Sequence, residues 1–234
     1  MENQTLSLPG SYLHIQQLLP PPVLQQVHEL VRTIPFVDGK ATASGAAKEI
    51  KHILQADKQA APLQQVQQLL MQCFSMHPFI QTAIMPKFVV PAVISKYEPG
   101  MSYGWHTDSP LMMGEHMPLR VDASMTVFLN DPATYDGGEL IIHTDAGYQE
   151  FKLNAGDAII YPTTRLHAVK EVTRGARLAA VTWMQSMVKE ADKRELLFQL
   201  KYVQERIAAA NLQSLENQLL MQVHSNLLRM WAEV

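Results

Sequence analysis

The chain has 234 residues, and its 47% hydrophobic content is enough for a sizeable core and excludes disorder as the main state. Its 19 basic and 22 acidic residues give a formal net charge of −3, which provides no electrostatic footprint for nucleic acid or an anionic membrane. The single cysteine, Cys73, excludes an internal disulfide and favours a reducing compartment. The N-terminus lacks the features of a signal peptide, and no apolar run reaches the roughly 18 residues of a transmembrane helix. We therefore expect a cytoplasmic protein that binds neither nucleic acid nor membrane.

Residues 1–87 carry helical patterns. Apolar side chains recur at helical spacing in residues 23–32 and again in residues 64–74, which predicts a helix in each range. Residues 38–47 are rich in Gly, Ala and Ser, and we predict a loop there. We expect this N-terminal part to pack as a helical layer on the domain that follows.

Residues 88–188 change to short β-rich runs that are separated by Gly, Pro, Asp and Asn. The predicted strands cover residues 88–97, 123–129, 138–143, 150–153, 158–161, 167–172 and 177–184. Short strands with turn signals between them are typical of an antiparallel barrel or sandwich.

Residues 189–234 return to a helical period. Leucine and other apolar residues predict two amphipathic helices that are broken near residues 211–214, which would form a helical hairpin. The apolar faces are those of Leu196, Leu200, Val203 and Ile207, and of Leu215, Leu219, Val223, Leu227 and Trp231. We expect these faces to pack on the chain's own barrel; a homodimer interface is the alternative.

A candidate metal site begins with His106 and Asp108. If this segment is extended, the two side chains point to the same side of a sheet. His167, on a later strand, would complete a set of two histidines and one carboxylate, which suits Fe(II) because it leaves coordination positions open. Arg177 follows ten residues after His167, on the next strand.

A histidine and an aspartate at this spacing are weak evidence by themselves, because His143 and Asp145 fit the same pattern. His143 ends a predicted strand at a turn signal, so we interpret it as a hairpin residue at the surface. Each predicted site residue also has a simpler explanation: a turn-capping pair for His106 and Asp108, a core histidine for His167 and a surface strand residue for Arg177. Their joint order and spacing favour the metal site.

Several of these motifs resemble the PKHD-type hydroxylases, which are bacterial Fe(II)- and 2-oxoglutarate-dependent dioxygenases related to prolyl hydroxylases. The most similar segments are residues 97–108, 136–140 and 161–188. The similarity spans nearly the whole chain, including residues 37–43 and the C-terminal helices, and leaves out only the N-terminal end and residues 111–118. The resemblance implies an α+β fold: a double-stranded β-helix (jelly-roll) core flanked by N-terminal helices, with a C-terminal helical hairpin. The corresponding parts are residues 1–87, 88–188 and 189–234.

The resemblance also implies roles for single residues. His106, Asp108 and His167 would bind Fe(II), Arg177 would pair with the C5 carboxylate of the cosubstrate 2-oxoglutarate, and Tyr97 would reach the same cosubstrate. L-Ascorbate is implied as a reductant.

A second hydroxyl often assists the arginine in the wider superfamily. The position that aligns with it here is Phe128, which has no hydroxyl, and Thr126 is the candidate to replace it. The alternative interpretation of Thr126 is a plain strand residue.

The implied activity is hydroxylation of an unidentified substrate, coupled through O₂ to the decarboxylation of 2-oxoglutarate to succinate and CO₂. A siderophore-like small molecule and a protein side chain are both open as substrates. The Met-rich segment of residues 111–118, which includes His116, would be either a flexible lid or an ordinary connection. The competing functions are a non-catalytic, cupin-like metal sensor and an interaction protein that works through its C-terminal helices.

Overall fold

The computed structural model describes residues 12–42, 45–113 and 118–233. The α-helices of these ranges are α1 (Pro21–Val31), α2 (Ala46–Glu49), α3 (Ala61–Met76), α4 (Pro78–Ala83), α5 (Ala191–Ala210) and α6 (Leu215–Trp231). The strands are β1 (Leu13–Ile15), β2 (Phe36–Asp38), β3 (Lys51–His52), β4 (Leu54–Ala56), β5 (Pro86–Val89), β6 (Val93–Tyr97), β7 (Ser102–His106), β8 (Leu111–Met113), β9 (Pro118–Arg120), β10 (Ala123–Phe128), β11 (Asp136–Gly137), β12 (Leu140–Thr144), β13 (Gly147–Phe151), β14 (Ala158–Pro162), β15 (His167–Val169), β16 (Val172–Arg174) and β17 (Arg177–Ser186). Of the described helices, none combines the length and the apolar character needed to cross a bilayer.

Two antiparallel sheets form the core. The larger sheet has the strand order β1-β14-β10-β17-β6-β4-β2, and β5 also pairs with β17. The smaller sheet has the order β13-β12-β15-β7-β3. Apolar residues of both sheets share one cluster, so the sheets pack face to face. This arrangement confirms the predicted jelly-roll core with its flanking helices.

Strand β10 shows how the sequence separates the two faces of the larger sheet. All six of its residues are buried, because the strand is covered on both sides. Met125 and Val127 join the cluster formed with the N-terminal helices, while Phe128 joins the cluster between the sheets. Ser124 and Thr126 alternate with Met125 and Val127, so they share the inner face with Phe128. The site described below lies on this inner face.

The N-terminal part is less helical than the sequence predicts. The helices predicted at 23–32 and 64–74 are present as α1 and α3, but β1, β2 and β4 extend the larger sheet and β3 extends the smaller one. The predicted loop at 38–47 contains a short 3₁₀ turn (Gly39–Thr42) and the start of α2, and residues 43 and 44 lie outside the described ranges. The strand predicted at 88–97 is divided into β5 and β6 around Pro91, which has no N–H to donate to a ladder.

The C-terminal helices form the predicted hairpin, but a different face is buried. Helix α5 buries Leu197 and Phe198 against the core, and α6 packs along α5. Most of the predicted apolar positions are exposed, among them Leu196, Val203, Leu215, Leu219 and Val223. Only Leu227 and Trp231 of the α6 stripe reach a buried cluster. The homodimer stays a prediction.

The packing of α3 predicts the stability effect of one substitution. Phe74 is 1% exposed among the residues of α1, α3 and the larger sheet, so Phe74→Ala leaves a cavity and lowers the free energy of unfolding by about 3–5 kcal/mol. Met76, on the same helix, is 82% exposed, and Met76→Ala changes it by no more than about 0.5 kcal/mol. Chemical denaturation of both variants measures the difference; equal effects would contradict this description of the core.

Candidate functional site

The three predicted metal ligands lie together. His106 ends β7 and His167 begins β15, and the two residues are direct partners in the antiparallel pairing of these strands. Asp108 follows two residues after the end of β7. Candidate ligand atoms of the three side chains lie within 4.8 Å of one another, and His167 Nε2 is 3.8 Å from Asp108 Oδ2. The pairing of two strands therefore joins residues that are distant in the chain.

Hydrogen bonds orient all three side chains. The Nδ1–H of His106 donates to the carbonyl oxygen of Gly104 at 2.7 Å, and that of His167 donates to the carbonyl oxygen of Arg165 at 3.1 Å. Each bond leaves Nε2 as the nitrogen with a free lone pair. The hydroxyl of Ser124 donates to Asp108 Oδ2.

Aromatic rings enclose the histidines. Tyr103 stacks on His106 with ring centroids 3.6 Å apart, and Tyr161 meets His167 edge-on at 5.0 Å. Burial, assisted by the proximity of His167, lowers the pKa of His106 to about 4, so this imidazole is neutral at neutral pH. Burial also raises the pKa of Tyr103 to about 12, with the charge of Asp108 acting in the same direction. The Tyr103 phenol is therefore uncharged.

A lysine lies close to the same cluster. Lys51 of β3 is the direct strand partner of Tyr103, and its Nζ lies 5.4 Å from the Tyr103 ring centroid. Burial lowers the pKa of Lys51 to about 8, and the nearby carboxylate of Asp108 opposes this shift. Lys51 thus adds positive charge beside a centre that contains one carboxylate.

Arg177 is buried at the first position of β17, with 1% of its surface exposed. Its guanidinium carbon lies 5.0 Å from the ring centroid of Tyr97 and 5.4 Å from that of Phe128. Within the described ranges its Nε and Nη2 find no hydrogen-bond partner, and no carboxylate forms an ion pair with it. Burying a cation without an acceptor is costly, so these nitrogens are well suited to bind an anion.

Phe128 offers no hydroxyl to assist Arg177, and the assisting role of Thr126 stays a prediction. Phe128 packs on the guanidinium as a ring alone. Thr126 lies opposite Val181, four residues along β17 from Arg177.

Tyr135 is a buried residue near Arg177 that the sequence interpretation missed. It is 1% exposed, and its hydroxyl has no hydrogen-bond partner in the described part of the chain. In the sequence, Tyr135 directly precedes the Asp-Gly-Gly block of residues 136–138. This block could have drawn attention to Tyr135, but by itself it predicts only a turn.

The two glycines of this block allow close packing. Gly137 lies in β11, which pairs with β16, and a Cβ there would be 2.0 Å from the carbonyl oxygen of Glu171. A Cβ on Gly138 would lie 3.0 Å from Arg177 Cδ and 3.1 Å from Tyr135 Cε2. Both glycines also have positive φ, which L side chains rarely adopt. The block therefore brings Tyr135 against Arg177 in addition to turning the chain.

The second His–Asp pair of the sequence, His143 and Asp145, lies outside this cluster. His143 is exposed on β12, and Asp145 forms a bidentate ion pair with Arg165 at 2.6 and 3.1 Å. Trp105 is 42% exposed and contacts Tyr148. Residues 114–117 of the predicted lid, including His116, lie outside the described residues, and its two ends pair as β8 and β9.

Known proteins with similar sequences or structures support one family. Residues 92–185 match the 2OG-Fe(II) oxygenase superfamily. The chain is 41% identical over 222 residues to a PKHD-type hydroxylase of Picosynechococcus sp., which covers 95% of this chain and 100% of that protein. Among solved structures, it is similar to a prolyl hydroxylase from Trichoplax adhaerens (TM-score 0.57, 16% identity, 81% of this chain and 87% of that one). A Pseudomonas putida prolyl-4-hydroxylase is also similar (TM-score 0.51, 20% identity, 75% and 92%). These two structures share the fold.

The close packing at Gly138 predicts a stability difference between two glycine substitutions. Gly138→Ala and Gly147→Ala both place a side chain at positive φ, at +68° and +104°. Only the Cβ of Gly138→Ala also presses against Arg177 and Tyr135. A Cβ on Gly147 would have no described atom within 4 Å. We expect Gly138→Ala to lower the free energy of unfolding by about 1–3 kcal/mol more than Gly147→Ala. Denaturant titration measures this, and equal losses would show that the crowding is not real.

Proposed function

We propose that this chain hydroxylates a C–H bond of its substrate while 2-oxoglutarate is decarboxylated to succinate and CO₂. The chain belongs to the PKHD-type hydroxylase family and is an Fe(II)- and 2-oxoglutarate-dependent dioxygenase. One observation carries the proposal. A cluster of two histidines and one aspartate lies between the two sheets, and the larger sheet carries a buried arginine whose Nε and Nη2 find no acceptor in the described chain. The first group fits a metal, and the second fits the carboxylate of an anionic cosubstrate.

His106, Asp108 and His167 are the proposed ligands of Fe(II). Two neutral imidazoles and one carboxylate suit this ion and leave coordination positions for a chelating 2-oxo acid and O₂. When bound, the metal supplies the activation of O₂. Zn(II) would accept the same donor atoms but has no redox chemistry.

The remaining residues orient these groups and exclude water. The carbonyl oxygens of Gly104 and Arg165 hold the two imidazoles in the tautomer that presents Nε2. Ser124 fixes one carboxylate oxygen of Asp108, which limits rotation of that side chain. The stacked ring of Tyr103 covers one face of His106 and excludes solvent from it.

Arg177 is the proposed partner of the distal carboxylate of 2-oxoglutarate. A guanidinium can donate two parallel hydrogen bonds to a carboxylate and keeps its charge at every relevant pH. Tyr97, whose ring lies 5.0 Å from the Arg177 guanidinium, is the proposed second contact to the cosubstrate.

The alternative of a metal sensor without turnover is not favoured. A sensor would need the three ligands, but it would not need a buried arginine held between Tyr97 and Phe128. The proposal leaves two substrate classes, a siderophore-like small molecule and a protein side chain. It includes L-ascorbate as a reductant on the strength of family resemblance alone.

The proposed ligands predict the result of an anaerobic metal titration. Adding Fe(II) and then 2-oxoglutarate to the metal-free protein should produce a visible charge-transfer band at one iron per chain. His106→Ala should abolish this band because one of three ligands is lost, whereas His143→Ala should leave it unchanged because His143 is exposed on β12. A band that survives His106→Ala, or that is lost equally in both variants, would contradict the assignment.

The role of Arg177 predicts a specific loss of cosubstrate affinity. Arg177→Lys keeps the charge but removes the bidentate geometry, so we expect the dissociation constant of 2-oxoglutarate to rise about tenfold or more with Fe(II) affinity unchanged. The same titration measures both constants. Unchanged 2-oxoglutarate affinity would refute this role.

A further inference from the structure

Tyr135 and Arg177 are two buried side chains with polar atoms that have no hydrogen-bond partner in the described part of the chain. The Tyr135 hydroxyl and the Arg177 Nε and Nη2 atoms all lie beyond the reach of solvent, and none has a partner among residues 12–42, 45–113 and 118–233. Buried polar atoms are nearly always hydrogen-bonded in folded proteins. Two such groups at one location indicate that a polar ligand completes both.

The side chains of Tyr135 and Arg177 both lie beside Gly138. From the Cβ position of Gly138, Arg177 Cδ is 3.0 Å away and Tyr135 Cε2 is 3.1 Å away. Cδ is bonded to Nε, and Cε2 is bonded to the carbon that carries the hydroxyl. The polar end of each side chain therefore extends from the same small volume. Burial raises the pKa of Tyr135, and the charge and close approach of the Arg177 guanidinium oppose this rise.

The chain holds Tyr135 at this place through backbone contacts. Lys152 Nζ donates to the carbonyl oxygen of Tyr135 at 2.8 Å and lies 4.4 Å from the centroid of its ring. A Cβ on Gly175 would lie 3.0 Å from Tyr135 Cα, so the turn before Arg177 touches the tyrosine backbone directly.

Asn130 joins the same two segments. Its Nδ2 donates to the carbonyl oxygen of Ala176 at 2.7 Å and to Thr134 Oγ1 at 3.0 Å, and its Oδ1 accepts from the backbone N–H of Leu178 at 2.8 Å. One amide thus binds both chain neighbours of Arg177 and the residue before Tyr135. The relative position of the tyrosine and the arginine is fixed by this network.

We infer that Tyr135 is a cosubstrate-positioning residue whose hydroxyl donates a hydrogen bond to the same distal carboxylate that Arg177 binds. This inference rests on the proposed function. A carboxylate has about four lone-pair sites, and a bidentate arginine uses two of them, so a neutral phenol can donate to a third. Phe128, which packs on the guanidinium, has no hydroxyl to offer, whereas Tyr135, which lies beside Gly138, has one. The pair selects 2-oxo acids that carry a second carboxylate at the far end.

The test compares two tyrosine variants with two ligands. Tyr135→Phe removes only the hydroxyl, and Tyr202→Phe is the matched control, because the Tyr202 hydroxyl on α5 accepts from Arg206 on the same helix. Each protein is loaded with Fe(II) in the absence of oxygen. Separate samples are titrated with 2-oxoglutarate and with 2-oxopentanoate, which has the same chain length but a methyl group in place of the distal carboxylate. The charge-transfer band gives the affinities, and the melting temperature reports on folding.

We expect Tyr135→Phe to weaken 2-oxoglutarate binding about tenfold, as for a lost hydrogen bond to a charged group, and to leave 2-oxopentanoate binding unchanged. Tyr202→Phe should change neither. Equal weakening for both ligands would show a structural role, and no weakening would show that the hydroxyl does not contact the carboxylate. Either result overturns the inference about Tyr135 and leaves the proposed function standing. If the unmodified protein binds no 2-oxoglutarate, the proposed function fails as well.

Discussion

The structure depends on the burial of one positive charge between two sheets. Arg177 stands at the start of the longest strand, packed between the rings of Tyr97 and Phe128, and its Nε and Nη2 find no acceptor in the described part of the molecule. A cation in such surroundings is costly to desolvate, and an anionic ligand offsets that cost. The glycines near it give the backbone room to pack against its side chain, so the chain keeps a costly charge in a defined position.

The two sheets carry different parts of the candidate site. The smaller sheet carries two proposed metal ligands on β7 and β15, and the larger sheet carries the proposed cosubstrate contacts on β6 and β17. Ser124 connects them, because it lies on the larger sheet and its hydroxyl donates to Asp108. The separation between the proposed metal ligands and the proposed cosubstrate contacts is thus determined by how the two sheets pack.

The helices show where a periodic pattern is insufficient. The spacing of Leu196, Val203, Leu215 and Leu219 correctly indicates two helices, yet these residues are exposed while Leu197 and Phe198 are buried. A helix with apolar residues on more than one side has no unique inner face until its neighbours are in place. In the same way, no sequence pattern indicates that β1 to β4 join the sheets, because short strands of two or three residues carry almost no alternation.

The residues of the candidate site could be predicted from the sequence. His106, Asp108, His167 and Arg177 are residue types with strong preferences for metals and carboxylates, and their order along predicted strands, with the family resemblance, was enough to group them. The role inferred for Tyr135 came only from the tertiary structure. Its proximity to Arg177 depends on two positive-φ glycines and on the amide of Asn130, contacts between segments about 40 residues apart whose effect no local pattern encodes. Residue type, spacing and family resemblance thus determined which groups are proposed for the chemistry, and packing decided which additional hydroxyl lies near them.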